Sequence, residues 1–428
     1  MKVLWLVNGI MPEPAVHLGM SPSVFGGWLV GALGALRSTD YELVICTTTK
    51  TDTLVGRYSL ESAVYYIVKG GSLTEQQNAF REILTAEKPD FIHIFGTEFL
   101  QSWALFSVAD PNKTLITLQG LLSFCKSKVY ADIPLRLCND NLVHKLLRLA
   151  HKGGRSIELQ KRSFEERAQY EKRILENAKF INGLSDWGNA GVRMFNSDCE
   201  LIPCGSILRD PFYDGSHWNS SKCEPHTIFC IYSYPIKGFH KLLEALQIVR
   251  MYYPDVKVYA IAKPDPYRDY KGIKRKIMDL APDYEWYVQR LIEEYGLRDN
   301  LVFPGYLNAE AVKAQMLKAN VFVSPSSIEN QSTAVGEAML LGLPTVISCV
   351  GDAENMIAHG QEGFVYSFDQ TQMLAYYICE IFRDKELAER LSEGARKKAS
   401  VLFGKEENTR LLLAMYDRMR NNASENIL

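Results

Sequence analysis

Two glutamates, Glu329 and Glu337, lie eight positions apart after a short apolar run. Ser332 or Thr333 is suited to cap a helix that ends before Gly342. Glu329 then falls in the loop before this helix, and Glu337 falls on its first turns. Each carboxylate can accept hydrogen bonds from a diol such as a ribose or a pyranose. The spacing therefore predicts two carboxylates at one sugar-containing ligand, while an ordinary loop acid and a solvated helix acid remain the alternative.

The same segment has the strand, loop and helix order of a phosphate site. Its loop residues Asn330 and Gln331 lead into the predicted helix start. Backbone N–H groups of Gln331, Ser332 and Thr333, together with the positive end of the helix, would stabilise a diphosphate. We therefore expect these four residues to bind an anionic ligand.

A second chemical signal is Lys237, which precedes Gly238 after the apolar run 227–232. A lysine at the head of a helix is suited to neutralise a leaving diphosphate, and the glycine lets backbone approach a ligand closely. A solvated lysine would have the same local sequence.

Residues that could bind a ligand or take part in catalysis also lie near apolar runs in the first half of the chain. Gly26 and Gly27 permit close ligand approach at a helix start, although a simple turn would use the same pair. His93 lies within the run 91–95, Glu98 follows that run, and Gln119 follows the next run. A hydrogen-bonded core histidine is the alternative for His93.

The elements that must position these residues alternate between short apolar runs and longer helical patterns. This alternation is typical of βα units around a parallel sheet. Twelve runs have the length of strands: 3–7, 43–47, 64–68, 91–95, 114–118 and 180–183, then 227–232, 256–261, 300–303, 321–324, 345–348 and 363–366. Because open sheets rarely grow so wide, we expect an α/β protein of two Rossmann-like, doubly wound domains facing a cleft.

The linker between these domains is expected within residues 203–219, which are dense in Gly, Pro, Asp and Ser. We assign residues 1–205 to an N-terminal domain and residues 206–409 to a C-terminal domain. Apolar residues among charges near the end predict an amphipathic terminal helix, and residues 410–428 are expected to pack back on the first domain.

The segment from Ser324 to Pro344 resembles the E-x7-E signature of glycosyltransferase family 4, which comprises retaining nucleotide-sugar transferases of the GT-B fold. The resemblance implies that Glu329 binds hydroxyls of the donor sugar and that Glu337 holds the nucleotide ribose. Lys237 and the glycine after it are similar to the Lys-Gly site of the family, which meets the diphosphate. The C-terminal domain would then bind the nucleotide sugar.

Other segments resemble the same family. Phe303 to Tyr306 is similar to a turn near the base, which implies that Gly305 and Tyr306 bind the donor. The loop of residues 23–28, with Gly26 and Gly27, is similar to a loop that faces donor phosphate and acceptor. The N-terminal domain would be the acceptor side, with His93, Glu98 and Gln119 as its candidate residues.

Three positions depart from the family pattern. Tyr232 stands where many members carry an arginine, Phe95 where many carry a second histidine, and Gln119 where a histidine is usual. Part of the usual phosphate clamp is therefore missing or supplied elsewhere, and the residues of the acceptor-side chemistry are left open.

Composition excludes several classes of protein. The 428 residues carry 48 Lys and Arg against 50 Asp and Glu, and this balance gives no support to a nucleic-acid binder. No apolar run reaches the roughly 18 residues of a transmembrane helix. Nine scattered cysteines without C-x-x-C spacing indicate reduced thiols of a cytoplasmic protein. Since metal-ligand spacings are absent, we expect neither a metal nor a cofactor beyond the co-substrate.

A basic stretch, residues 145–173, predicts a contact surface. It holds nine Lys or Arg against four Glu and follows several apolar residues. Basic helices beside apolar side chains can bind anionic lipid, and a solvated, salt-bridged helix pair is the alternative. The inner face of the plasma membrane is therefore an expected contact.

The residues and the resemblance together predict a metal-independent, retaining hexosyltransferase of the bacterial polysaccharide-biosynthesis type. It would move a sugar from a UDP- or GDP-sugar to a glycan or lipid-linked glycan in surface polysaccharide synthesis. A nucleotide-sugar epimerase of the same fold and a non-catalytic nucleotide-sugar-binding protein remain the alternatives.

Overall fold

The computed structural model describes residues 1–21, 26–37, 39–150 and 153–425. Residues 23–25 of the loop before Gly26, Lys152 of the basic stretch and the last three residues of the predicted terminal segment lie outside the described residues. The chain divides into two compact units. Unit 1 comprises residues 1–123, 165–209 and the chain from Phe403 onward, and unit 2 comprises residues 124–164 and 210–402.

Unit 1 is built on a sheet whose described strands are β1 (Lys2–Leu6), β2 (Glu42–Thr49), β3 (Gly56–Ser59), β4 (Val64–Lys69), β5 (Phe91–Phe95), β6 (Thr114–Thr117), β7 (Phe180–Asn182) and β8 (Glu200–Leu201). Their order is β3-β4-β2-β1-β5-β6-β7-β8. Neighbouring strands are parallel except β3 and β4, which pair antiparallel at one edge. Strands β5 and β6 are buried at every position, as expected of parallel strands covered on both faces.

The sheet of unit 2 contains β9 (Thr227–Ile231), β10 (Lys257–Ile261), β11 (Leu301–Gly305), β12 (Val321–Ser324), β13 (Thr345–Ser348) and β14 (Phe364–Tyr366). Its order is β11-β10-β9-β12-β13-β14, and every pair is parallel.

The helices of the described chain complete both units. They are α1 (Pro12–His17), α2 (Gly27–Leu36), α3 (Leu73–Glu87), α4 (Leu100–Phe106), α5 (Leu122–Cys125), α6 (Leu135–Cys138), α7 (Leu142–Leu149), α8 (Ile157–Leu175), α9 (Asp186–Arg193), α10 (Phe239–Tyr252), α11 (Gly272–Leu280), α12 (Tyr284–Glu294), α13 (Ala309–Lys318), α14 (Thr333–Leu341), α15 (Ala353–Met356), α16 (Thr371–Arg383), α17 (Lys385–Leu402) and α18 (Lys405–Glu425).

The terminal helix α18 is part of the core of unit 1. Its apolar residues Leu412, Met415 and Met419 are buried in the same cluster as Val3 and Trp5 of β1. The indole N–H of Trp5 donates to the Tyr416 hydroxyl at 2.7 Å. A buried N–H needs such a partner because an unpaired one costs about 1–3 kcal/mol.

Each sheet has one place where the strand order reverses. In unit 2 the reversal lies between β9 and β12, and in unit 1 it lies between β1 and β5. The loops after two such strands leave the sheet in opposite directions, so a crevice opens outside their carboxyl ends. These two loop pairs are therefore where each unit is built to receive a ligand.

The predicted fold class is confirmed in that both units are α/β with parallel sheets. All twelve predicted runs are strands. The edge strand β3, which begins with glycine, and the two-residue β8 were not predicted. Residues 124–164 lie in unit 2, whereas the sequence placed residues 1–205 together. No linker composition marks either end of this segment, and α8 runs through one of its borders.

Candidate functional site

Lys237 lies in the loop after β9, at the end of a short 3-10 helix, Pro235–Lys237. Gly238 then turns the chain into α10 with φ of +67°. A Cβ atom at Gly238 would overlap the carbonyl oxygen of Pro325, in the loop after β12. Only glycine permits both this backbone angle and this approach, so Gly238 brings the Lys237 turn against the neighbouring loop.

Glu329 lies in that neighbouring loop and meets Lys237 directly. Its Oε1 forms an ion pair with the Lys237 ammonium group and accepts a hydrogen bond of 2.8 Å from the Ser326 hydroxyl. The side chains of Lys237 and Glu329 are 32% and 19% exposed, so both remain reachable from solvent. Ser326 was not predicted as a site residue, because a serine two positions after a strand carries no distinctive signal.

A third loop, the one after β13, packs against the backbone of Glu329. Gly351, between β13 and α15, has φ of +57°, and a Cβ atom there would overlap the backbone carbonyl of Glu329. The Ser348 hydroxyl donates to the carbonyl of Ser326. Loops after β9, β12 and β13 therefore converge on one carboxylate and one ammonium group at the switch point of unit 2.

The helix α14 begins as predicted, with Ser332 at its N-cap position and Gly342 after its end. The Ser332 side chain makes no capping hydrogen bond, and no acid lies in the first turn. The first backbone N–H groups are thus not used by a capping side chain and can face an anion. Asn330 and Glu337 are buried, at 6% and 4% exposure.

The loops after β10 and β11 form the other side of this region. The backbone N–H of Ala262 donates to the carbonyl of Gly305 at 2.9 Å, which ties the two loops together. Tyr306 follows with 57% of its surface exposed. The predicted base-side pair, Gly305 and Tyr306, thus lies on the β10 and β11 side of Lys237 in the sheet order.

Tyr232, one of the three positions that depart from the family pattern, is fully buried. Burial raises the pKa of its phenol far above the usual range, and its ring packs on Phe239 at 4.8 Å between centroids. The ammonium group of Lys263 lies 5.7 Å from the ring centroids of both Tyr232 and Tyr234, and it pairs with Glu285. A second cation therefore stands at the end of β10, which the sequence pattern did not reveal.

In unit 1, Gly26 and Gly27 form the start of α2, with Gly26 in a left-handed conformation. The side chain of Arg209 lies directly against Gly27, where a Cβ atom would overlap it. The sequence did not single out Arg209, because it is 182 positions away in the chain.

The imidazole of His93 makes hydrogen bonds within the core of unit 1. Its Nδ1 lies 2.9 Å from the Tyr416 hydroxyl, and its Nε2 lies 2.7 Å from the Thr117 hydroxyl. Burial holds the pKa of this imidazole well below its usual range. Phe95 packs on the His93 ring at 3.7 Å between centroids. The structure thus favours the core role of His93 that the sequence left open.

Glu98 lies in the loop after β5, at the switch point of unit 1, and is 7% exposed. Burial raises the pKa of its carboxyl to about 7, although the charge of Arg167 acts in the opposite direction. Its Oε2 and the Asn8 side-chain nitrogen have no hydrogen-bond partner among the described residues. Gln119 is half-buried after β6.

The predicted basic stretch begins within α7, and three leucine side chains of this helix face outward. Leu142, Leu146 and Leu149 are 70%, 55% and 78% exposed, and their spacing of four and three puts them on one helix face. Arg148 does not contribute a separate charge there, because its Nη1 pairs with Asp140 at 2.7 Å. Among the described helices, none is both long and apolar enough to span a bilayer.

Within the described ranges, no group of three or more His, Cys, Asp or Glu side chains is placed to hold a metal ion.

Comparison with known proteins finds a family similarity within the second unit. Residues 222–398 match the family model described as Glycosyl transferases group 1. This part of the chain is therefore similar to group 1 glycosyltransferases, and it contains the loops of Lys237, Glu329 and Gly351.

Curated relatives carry names of the same class. The uncharacterized glycosyltransferase YqgM of Bacillus subtilis is 24% identical over 44% of this chain and 48% of its own length. The putative glycosyltransferase YtcC of the same species is 23% identical over 94% of this chain and 88% of its own length. The putative colanic acid biosynthesis glycosyltransferase WcaL of Salmonella typhimurium is 29% identical over 42% of this chain and 41% of its own length. The chain thus matches less than half of two of these relatives.

Solved structures share the fold along the whole chain. Sucrose-phosphate synthase from Thermosynechococcus elongatus aligns over 98% of this chain and 99% of its own, with a TM-score of 0.72 and 18% identity. HepE from Anabaena, in complex with UDP-glucose, aligns over 98% and 100%, with a TM-score of 0.63 and 15% identity. Both comparisons establish a fold shared with GT-B glycosyltransferases, as the sequence predicted.

Proposed function

We propose that this protein is a retaining glycosyltransferase of family 4 that moves a sugar from a UDP- or GDP-sugar to a glycan or lipid-linked glycan. The observation that carries the proposal is the cluster of Lys237, Ser326 and Glu329 at the switch point of unit 2. It lies inside the segment that matches the group 1 glycosyltransferases. The complex of HepE with UDP-glucose supports a nucleotide-sugar donor, and the name of WcaL supports a role in surface polysaccharide synthesis.

The donor would bind across the loops of unit 2. Lys237 and the first N–H groups of α14 would hold the diphosphate. A bound diphosphate competes with Glu329 for Lys237, so Glu329 would turn to hydroxyls of the donor sugar. Glu337 would hold the ribose, and Gly305 and Tyr306 would contact the base. Lys263 is the candidate for the cation that replaces the missing arginine.

The reaction would proceed on one face of the sugar. The bond between the anomeric carbon and the diphosphate oxygen breaks while the acceptor oxygen bonds to the same face of that carbon. The acceptor proton passes to an oxygen of the departing diphosphate, so no protein nucleophile is required. In unit 1, Gly26 and Gly27 would contact the donor, and Glu98 and Gln119 would contact the acceptor, while His93 would have a structural role in the core.

Metal independence is part of the proposal because Lys237 and the α14 amides supply positive charge at the diphosphate. Turnover should survive EDTA. A complete loss that Mg²⁺ restores would contradict this part.

Contact with an anionic membrane is the second part of the proposal. It is supported by the exposed leucines of α7 beside Lys145, which is exposed on the same helix. Such a face fits the boundary between lipid headgroups and acyl chains.

Product analysis by mass spectrometry tests the proposal as a whole. The full chain is incubated with UDP-glucose, UDP-galactose, UDP-N-acetylglucosamine and GDP-mannose, each with and without methyl glycosides as acceptors. Transfer, or slow hydrolysis of one donor, supports a transferase. Conversion of the donor sugar without any acceptor would identify an epimerase, and binding without any turnover would identify a binding protein.

A further inference from the structure

Unit 2 contains a cavity whose lining does not include Lys237, Ser326 or Glu329, here called the donor cluster. Residues Ser127–Leu135, here called the strap, form one wall, and the loops after β12, β13 and β14 form the other. Its volume is about 790 Å³, which lies in the range of small-molecule sites. All of its lining residues belong to unit 2.

The lining combines groups that suit a neutral polyhydroxyl ring. Ser127, Asp132 and Ser367 contribute hydroxyl and carboxylate oxygens, while Tyr130 and Phe368 contribute aromatic rings. Hydroxyl and carboxylate groups exchange hydrogen bonds with sugar hydroxyls, and aromatic faces pack on the apolar C–H side of a ring. The chemistry therefore fits a saccharide better than a purely apolar ligand.

The strap is held in a strained conformation. Ala131 and Asp132 both have positive φ, +47° and +61°, which residues other than glycine rarely adopt in succession. His240 on α10 lies with Nε2 2.7 Å from the Ala131 carbonyl oxygen, and the Lys241 ammonium lies 3.5 Å from the Asp132 carboxylate. Backbone strain that the surroundings enforce in this way clusters at ligand sites.

The cavity adjoins the donor cluster on the side away from the expected nucleoside. Gly351, which backs Glu329, is part of its lining. Phe368 lies beside Gly238, where a Cβ atom would come within 3.3 Å of its ring. In the sheet order, β13 and β14 lie on one side of the switch point, while β10 and β11 lie on the other. A donor sugar held by Glu329 would therefore stand between its nucleotide and this cavity.

We propose that the cavity under the strap is the subsite for the acceptor saccharide, with Asp132 and Ser367 binding its hydroxyls. The inference rests on the proposed function and refines it. The strap belongs to the predicted N-terminal, acceptor-side domain by sequence but to unit 2 by its contacts. The saccharide ring in this cavity would thus be bound by the same unit as the donor, and the rest of the acceptor would remain for the candidates of unit 1.

Cys349 provides a direct test, because it lines the cavity and is the exposed cysteine of the nine. Labelling it with fluorescein maleimide should fill the cavity. We expect UDP affinity and acceptor-free hydrolysis of the donor to stay within about 2-fold, and transfer to methyl glycosides to fall more than 10-fold. In C349S, treated and untreated samples are compared with each other, and the reagent should change transfer by less than 2-fold.

A pair of tryptophan substitutions tests the same proposal without the maleimide label. Ser367→Trp places a bulky side chain at the exposed edge of the cavity, and Ser400→Trp is a matched change at an exposed position of α17 outside it. Ser367→Trp should raise the acceptor KM more than 10-fold, while Ser400→Trp should not.

The outcomes separate this proposal from the proposed function. Selective loss of transfer, with hydrolysis retained, supports an acceptor subsite. Equal loss of hydrolysis and transfer would show that the cavity belongs to the donor and would overturn the proposal, as would full transfer by the labelled protein. If the untreated protein turns over no nucleotide sugar at all, the proposed function fails, and the acceptor subsite fails with it.

Discussion

The ammonium group of Lys237 and the carboxylate of Glu329 form an ion pair that joins the loops after β9 and β12. Each of these charges is suited to a different part of a nucleotide sugar. The pair therefore holds the two loops in place while keeping both groups at the point where the strand order reverses.

The first prediction concerns the division of roles within this pair. Glu329→Gln removes a charge that competes with the diphosphate, so affinity for UDP should be unchanged or up to about 10-fold tighter, while turnover falls more than about 100-fold. Lys237→Ala should weaken UDP binding at least about 10-fold, as expected for a charge-assisted hydrogen bond of roughly 1.5–3 kcal/mol. Calorimetric titration with UDP and GDP measures both effects.

Glu310→Gln is the matched control, because Glu310 is an exposed partner of Lys313 in the same unit. It should leave affinity and turnover unchanged. A 10-fold loss of UDP affinity in Glu329→Gln would show that the two residues do not have separate roles.

The second prediction concerns the two glycines that bring the loops together. Alanine at Gly238 or Gly351 would overlap a backbone carbonyl, at Pro325 or Glu329 respectively. Gly360 has a similar φ of +78° but no atom near its Cβ position. Gly360→Ala should therefore cost only the strain of the backbone angle, about 1 kcal/mol.

Gly238→Ala and Gly351→Ala should cost at least about 2 kcal/mol more in urea unfolding, because the loop backbone must move. Nucleotide binding should fall with them. Equal stability of all three variants would mean that the loops adapt without strain, and the close approach would then have no structural role.

Much of this arrangement could be predicted from the sequence. The runs that became β9 and β12 were clear, because parallel strands buried on both faces are continuously apolar. The start and end of α14 were also clear from Ser332 and Gly342, whose residue types suit the two helix ends. Lys237 and Glu329 were recognised because each stands in the loop after such a strand and because both loops resemble the family pattern.

What could not be predicted depends on contacts between distant segments. Nothing in the sequence places the strap in unit 2, because its attachment rests on His240 and Lys241, more than a hundred positions away. The core role of His93 likewise depends on Tyr416 at the far end of the chain. Local patterns carry no information about partners of this kind.

The third prediction concerns Glu98 and pH. Burial raises the pKa of the Glu98 carboxyl from its ordinary value near 4.5 to about 7, so this group is protonated more readily in the folded state than in the unfolded state. The contribution of Glu98 to the free energy of unfolding is then greatest at low pH, falls as pH rises from about 4.5 through 7, and is constant above that. The loss from this group alone is on the order of 3 kcal/mol.

Glu98→Gln should remove that pH dependence. Its free energy of unfolding should exceed that of the wild type by about 2–3 kcal/mol more at pH 8.5 than at pH 5. Urea unfolding at the two pH values gives the comparison. A shift of equal size at both values would mean that the variant alters packing and that burial does not penalise the charged carboxylate.

The last prediction concerns the exposed face of α7. Each leucine side chain that a membrane removes from water contributes roughly 1.5–3 kcal/mol to binding. The double variant Leu146→Glu with Leu149→Glu should therefore reduce binding to vesicles containing phosphatidylglycerol more than about 10-fold. Val401→Glu is the control, since Val401 is 73% exposed on α17, away from this face. Co-sedimentation measures the bound fraction.

Charge and apolar contact make separable contributions to this binding. Lys145→Glu should weaken binding at low salt and have little effect at high salt, because exposed charges are screened. Arg148→Glu is unsuitable for this purpose, since it would also break the ion pair with Asp140. Equal binding to neutral phosphatidylcholine vesicles would show that the leucines act without the basic residues, and full binding by the double leucine variant would show that α7 does not face the lipid.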